Sequence, residues 1–293
     1  MKTNIKTSVL VLIACCMGAL GANGASMQQM RFHCYNDTTR INSLLADGLQ
    51  SGNKTANELV SYYAHRLLGT PYVAHTLEGD SEMLTINIDE LDCTTFVETL
   101  YALTRTTLNG RYSWRDYAHH LEDLRYRNGV LGDYSSRLHY ISEWIVNNRS
   151  RGNLMEVTGD LPHADYQVKT INFMSTHKDS YQSLKSDSAM VEKIKGYEIG
   201  YRNHRTPYVK KTWFGDKKLK AALKSGDFIG LVTKIEGLDI SHLGIIEKDE
   251  KGEIYLLDAS MSGGRVMLEP KNMLQMFRNS KTVIGIRVFR IME

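Results

Sequence analysis

Leu91-Asp92-Cys93-Thr94-Thr95-Phe96-Val97-Glu98 is the stretch on which the reading of this chain turns. Phe96, Val97, Leu100 and Leu103 recur at the spacing of one buried helical face, Asn109-Gly110 ends the pattern, and Asp92 stands where an N-cap belongs. Cys93 therefore opens a helix. Unpaired backbone N–H groups and the helix dipole favour an anion there, and the thiolate is the nucleophilic form of cysteine. Asp92 is expected first of all to cap the helix, because a catalytic role needs a reach to the reacting atoms that spacing cannot supply.

Upstream, Thr55 to Gly69 carries Leu59, Tyr63, Arg66 and Leu67 at helical spacing with a glycine at its end, and Thr70-Pro71-Tyr72 breaks it. Downstream, helices are expected near Trp114 to Arg127, Leu138 to Asn148 and Ser188 to Asn203. The last part changes character. Gly226 to Thr233, His242 to Glu247, Glu253 to Asp258, Arg265 to Leu268 and Val283 to Arg290 are short β-rich runs separated by Gly, Asp and Lys, the pattern of an antiparallel meander. A helical first half packed on a small curled antiparallel sheet is an α+β architecture. No Gly/Ser or Pro linker divides the halves, so residues 26–293 read as a single domain.

The 293 residues hold 36 Lys plus Arg against 33 Asp plus Glu, and 42% are apolar. That apolar fraction disfavours disorder, and the near-cancelling charge gives no footprint for nucleic acid or an anionic membrane. Residues 1–25 read as a signal peptide: Lys2 and Lys6 form a positive start, Ser8 to Ala22 is apolar but shorter than a membrane span, and small residues lead to Ala25. Export and a periplasmic or outer-membrane-associated location follow as expectations. Leu12-Ile13-Ala14-Cys15 also resembles a lipoprotein box, although the apolar run continues past Cys15. Removal of residues 1–25 takes two lysines and no acid, lowering the net charge from +3 to +1, and leaves Cys34 and Cys93 as the two thiols. In an oxidising compartment either these two bond or one has a task.

A nucleophilic thiol needs a base, and the base needs an orienting group. Ile240-Ser241-His242-Leu243-Gly244-Ile245-Ile246 puts a histidine at the head of an apolar strand, and Tyr255-Leu256-Leu257-Asp258-Ala259-Ser260 ends an adjacent one with a carboxylate. Asp258 could hold the imidazole tautomer; Glu247 is the neighbouring alternative. His119-His120 does not make a metal pair, because adjacent helical residues diverge by about 100°. Zinc-binding helix motifs and paired-Cys spacings are lacking, so neither metal nor other cofactor is expected.

Gly69-Thr70-Pro71-Tyr72, Leu91 to Glu98, Leu223-Lys224-Ser225-Gly226-Asp227, Ser241 to Ile245 and Leu257 to Ser260 resemble, in order, the blocks of NlpC-type cell-wall cysteine peptidases with a papain-like fold. Ser136-Arg137-Leu138-His139-Tyr140-Ile141-Ser142-Glu143-Trp144 is similar to a narrower branch, the N-acetylmuramoyl-L-alanine amidase-like one. The resemblance implies Cys93 as nucleophile, His242 as general base and acid, Asp258 as orienter, and Tyr72 with the Cys93 backbone N–H as oxyanion donors. It also implies a mostly helical insertion at about 110–215 that sets specificity, with Arg137 a candidate for a substrate carboxylate and His139 or Tyr140 for sugar hydroxyls. Ala74-His75 and Thr94-Thr95 depart from the Gly-Gly and Ser-Gly of the common pattern. The implied partner is a muramyl peptide or peptidoglycan fragment, met by a monomer. The implied activity is cleavage between muramic acid and L-alanine. One alternative is a cut at the γ-D-glutamyl to diamino-acid bond; another is a non-catalytic wall-binding module.

Overall fold

The computed structural model describes residues 24–293. The expected export signal, Cys15 included, lies outside them apart from Gly24 and Ala25. Among the described residues no helix is long and apolar enough to cross a membrane.

The first part is a helical layer. Helix α1 (Asp37–Gln50) is followed by α2 (Ala56–Arg66), α3 (Cys93–Leu108), α4 (Trp114–Arg125) and α5 (Ile141–Ser150). Strands β1 (Met30–Phe32) and β2 (Leu84–Ile86) form a small parallel pair beside them. Local signals set the helix starts. Thr55 and Glu58 make a capping box on α2, and Ser113 accepts the Arg115 N–H at the head of α4. Phe96, Val97, Leu100 and Leu103 of α3 are all fully buried, the face expected from their spacing.

The second part is an eight-stranded sheet. Strands β6 (Phe228–Thr233), β7 (Ile240–Lys248), β8 (Ile254–Ser260) and β9 (Arg265–Leu268) follow one another as an antiparallel meander, and β10 (Val283–Ile291) returns to pair with β6. Alternate residues serve opposite faces. Phe228, Val232, Ile245 and Leu257 join the core under the helices, whereas Ile229, Leu231, Ile246 and Leu256 pack with Phe214, Met273 and Phe277 in a second core. Two short helices, α9 (Lys217–Ala222) and α10 (Met273–Phe277), lie by this second core.

The stretch at 110–215 departs from the mostly helical expectation. Besides α6 (Phe173–Thr176), α7 (Gln182–Lys185) and α8 (Ser188–Glu198), it contains β3 (Leu154–Glu156), β4 (Ala164–Lys169) and β5 (His204–Lys210). These strands extend the sheet through β10 in the order β4-β5-β10, with β3 also pairing β10. Backbone hydrogen bonding to β10 explains the difference, since Val209 and Lys210 find partners in Ile286 and Gly285. The expected helix from Leu138 begins instead at Ile141. The one from Ser188 closes at Glu198, followed by a short 3₁₀ turn. Tyr134, Tyr140, Ile171, Met174, Leu184, Val191 and Ile194 give this stretch a third core of its own.

Candidate active site

Cys93 is the first residue of α3, and the cap before it is strong. The Asp92 carboxylate accepts the N–H groups of Thr94 at 3.0 Å and Thr95 at 2.8 Å, while the Asp92 N–H donates to Thr95 Oγ1 at 2.9 Å. Asp92 is thus engaged as a helix cap, and it fixes the direction in which α3 presents Cys93. The segment before it is threaded through β-type hydrogen bonds. Tyr72 N–H donates to Gly264 O at 2.9 Å, Leu91 N–H to Pro71 O at 3.0 Å and Val73 N–H to Leu91 O at 3.2 Å. Pro71 and Tyr72 therefore run alongside both β9 and the residues leading to Cys93.

His242 on β7 and Asp258 on β8 meet, with the imidazole Nε2 hydrogen-bonded to the Asp258 carboxylate. The strand register, Ile245 against Leu257, brings Gly244 abreast of Asp258. His242 lies two residues before Gly244, where the β6–β7 register shifts, and its ring reaches the Asp258 carboxylate. A Cβ at Gly244 would stand 3.0 Å from Asp258 Cβ and 2.9 Å from Leu257 O, so the close approach of the strands requires glycine. Glu247, the alternative orienter, points elsewhere and accepts from Ser61 Oγ. Asp258 is nearly fully buried.

The electrostatics tie these groups together. Burial alone would depress the His242 imidazolium, but hydrogen bonds to Asp258 and Cys93 and their charges outweigh it and raise its pKa to about 10. The raised value keeps the ring protonated at neutral pH, with Nε2 on Asp258. Tyr72 is raised to about 12, chiefly by burial and then by the nearby charges of Cys93 and Asp92, so its hydroxyl remains a donor. His242 is thereby influenced by both the Asp258 carboxylate and the Cys93 sulfur, and Tyr72 by Cys93 and Asp92.

A cavity of about 550 Å³ is lined by Asp92 and Thr94, the residues on either side of Cys93 in the chain. Loop residues His75 and Glu78 line one side; Tyr134, Arg137, His139 and Tyr181, from the stretch between α4 and β5, line another. Arg137 is 7% exposed rather than a solvated rim charge, and its Nη2 lies 3.1 Å from Glu78 and 3.2 Å from Glu82. His139 lines the cavity, but a ring nitrogen sits 2.8 Å from Tyr134 O, and burial pulls its pKa down to about 3. Tyr140 is not brought to the cavity. Its hydroxyl donates to Glu198 at 2.8 Å and accepts the Met174 N–H at 2.6 Å inside the third core. A sugar contact by Tyr140 is corrected to an internal tie, because both hydroxyl roles are filled within the protein.

Cys34 and Cys93 form no disulfide. The Cys34 sulfur lies 3.3 Å from Asp89 Oδ2 and 3.5 Å from Asp37 Oδ1. Residues of the Lys224-Ser225-Gly226-Asp227 block are structural. Asp227 is fully buried, receiving Arg290 Nε at 2.6 Å and Nη2 at 2.8 Å, Asn57 Nδ2 at 2.9 Å and the Lys224 N–H at 2.8 Å. His75 and Glu78 were not singled out as site residues in the sequence. The available signal was His75 itself, a bulky residue where a tight turn follows Tyr72.

The fold is a mixed α/β one shared with solved structures, among them one named as an amidase. It belongs to the AmiA-like family, described as N-acetylmuramoyl-L-alanine amidase-like, which matches residues 62–286. The structure is similar to an N-acetylmuramoyl-L-alanine amidase from Bacteroides uniformis at 34% identity and a TM-score of 0.75, covering 81% of this chain and 99% of that one. It is also similar to a Bacteroides fragilis protein described as a candidate xylanase, at 38% identity and a TM-score of 0.73, covering 79% and 99%. A Legionella pneumophila protein, LPG0564, shares the fold at 21% identity and a TM-score of 0.65, covering 87% and 95%. No protein of curated function matches significantly.

Proposed function

We propose that this protein is an exported cysteine amidase of the papain-like, NlpC type that hydrolyses the amide between N-acetylmuramic acid and L-alanine in cell-wall fragments. The observation that carries the reading is the His242 imidazole bonded to the buried Asp258 carboxylate and raised in pKa by Asp258 and by Cys93, which opens a capped helix. Family membership and the amidase named among the structural neighbours support the bond class. The positive start and apolar run of residues 1–25 support export.

In this mechanism the Cys93 thiolate adds to the lactyl carbonyl. The oxyanion is met by the Tyr72 hydroxyl and the Cys93 backbone N–H, donors fixed before substrate arrives. Protonated His242 delivers its proton to the departing amine of L-alanine as the C–N bond breaks, leaving a thioester. Neutral His242 then takes a proton from water, which attacks the thioester and frees the muramic acid carboxylate and the thiolate.

The cavity's carboxylates argue for amide rather than glycoside chemistry. A glycosidase needs two free carboxyl groups flanking its bond. Here Asp92 is engaged by the helix start, Glu98 by Arg125 at 2.7 Å and Glu78 by Arg137, which leaves Asp179 as the one unpaired carboxylate in the lining among the described residues. The direct test is purified protein with an N-acetylmuramyl-L-alanyl peptide, read by mass spectrometry. Release of a peptide with a free L-alanine amine is expected, and equal turnover by Cys93→Ala refutes the nucleophile. A product cut beyond D-glutamate instead moves the activity to the γ-D-glutamyl bond.

A further inference from the structure

We propose that His75 is a specificity-determining residue of this site and that, with Lys185, it receives the free carboxylate of the peptide stem beyond the scissile amide. The inference rests on the amidase reading above and names the group that the cavity recognises.

His75 has φ +64°, in the left-handed region where glycine is the ordinary occupant and a side chain is strained. Its chain neighbours do not supply a reason for a side chain here: the ring is exposed, lines the cavity and has no hydrogen-bond or ion-pair partner among the described residues. The loop that carries it is nonetheless rigid. Arg31 donates from Nη1 to Glu78 O at 2.9 Å and from Nη2 to Thr76 O at 3.0 Å, and the Glu78 N–H closes the turn on His75 O at 3.0 Å. Glu78 is further held by Arg137. An exposed imidazole on a pinned turn in the cavity wall is preorganised for a ligand.

The unpartnered donors of the cavity point to the ligand. Asp92, Glu98 and Glu78 are already matched within the protein, and Arg137 is spent on Glu78 and Glu82. The chargeable lining residues left without a partner among the described residues are His75, Lys185 and Asp179. His75 and Lys185 thus offer unpartnered N–H donors on one cavity, which suits a hydrogen-bond acceptor on the ligand. Lys185 closes α7, so it reaches the cavity from a different element than His75. A stem in which D-glutamate is linked through its side-chain carboxyl keeps its α-carboxylate free, one residue past the L-alanine whose amide is cut. That carboxylate can pair with the Lys185 ammonium and accept from the His75 ring N–H.

The experiment compares kcat/KM for N-acetylmuramyl-L-Ala-γ-D-Glu-L-Lys with that for the same peptide carrying an α-carboxamide on D-glutamate. The wild type is expected to favour the free acid by about tenfold or more, a typical penalty when a built donor loses its charged acceptor. In His75→Asn, which tolerates the left-handed backbone, and in Lys185→Met, the ratio should fall towards one through KM, with melting temperatures at or above wild type. Equal use of both peptides by the wild type, or an undiminished ratio in both variants, overturns the assignment while leaving the amidase reading intact. Failure to hydrolyse either peptide overturns both.

Discussion

Replacing Asp258 by Asn keeps the size of the side chain and removes its charge, so it isolates what the carboxylate does to His242. The imidazolium pKa stands at about 10 against an ordinary 6.5, held there against burial by Asp258 and Cys93 together. If the carboxylate supplies about half of that rise, its loss brings the alkaline limb of kcat/KM down by roughly two pH units, each unit being about 1.4 kcal/mol. Loss of the acceptor at Nε2 also frees the ring to turn, and kcat should fall by roughly 10²-fold or more. A stability readout follows from the sign of the shift. A raised histidine pKa stabilises the fold fully below about 6.5, and that contribution is lost as pH rises through about 10. The melting-temperature gap between wild type and Asp258→Asn should therefore be widest near pH 6 and narrow towards pH 10. The assays are pH–rate profiles with a muramyl-L-alanyl peptide and thermal melts over the same range. An Asp258→Asn profile whose alkaline limb superimposes on wild type would refute the reasoning.

Three further outcomes are expected. Tyr72→Phe removes the proposed oxyanion donor and should lower kcat by about 10²-fold with little change in KM; a loss under threefold in steady-state kinetics counts against that role. Gly244→Ala places a methyl 3.0 Å from Asp258 Cβ and should destabilise the protein by about 1–3 kcal/mol in urea unfolding while lowering kcat, and unchanged values for both would show that the strands have slack. Asp227→Ala leaves Arg290 and Asn57 without their buried partner and should cost roughly 3–5 kcal/mol in the same unfolding assay, whereas a cost under about 1 kcal/mol would mean that the site is wet.

Where hydrophobic period and cap chemistry agreed, sequence and structure coincide. The α3 helix starts at Cys93 because Asp92 and Thr95 reciprocate across its first turn, and β6 to β9 run where β-branched segments are punctuated by turn residues. The strands between α5 and α9 were hidden for a physical reason. Strand β4 is an edge strand with alternating half-buried and exposed residues, and β5 contains Pro207, a residue that ordinarily argues against a strand. The proline is tolerated because β10 pairs only with Val209 and Lys210, leaving the Pro207 position hydrogen-bonded on the β4 side alone.

Residue types and short-range spacing determined by themselves that a thiol opens a buried helix, and that a histidine and an aspartate head and close neighbouring strands. Those are properties of caps, periods and turns, which act over a few residues. Only the tertiary structure decided that Asp258 rather than Glu247 faces His242, and that Tyr140 turns inward to Glu198. It alone decided that Arg137 is locked between two glutamates while His75 is left facing open space. Such outcomes depend on strand register and on which charges are matched across distant segments, and no local pattern encodes them.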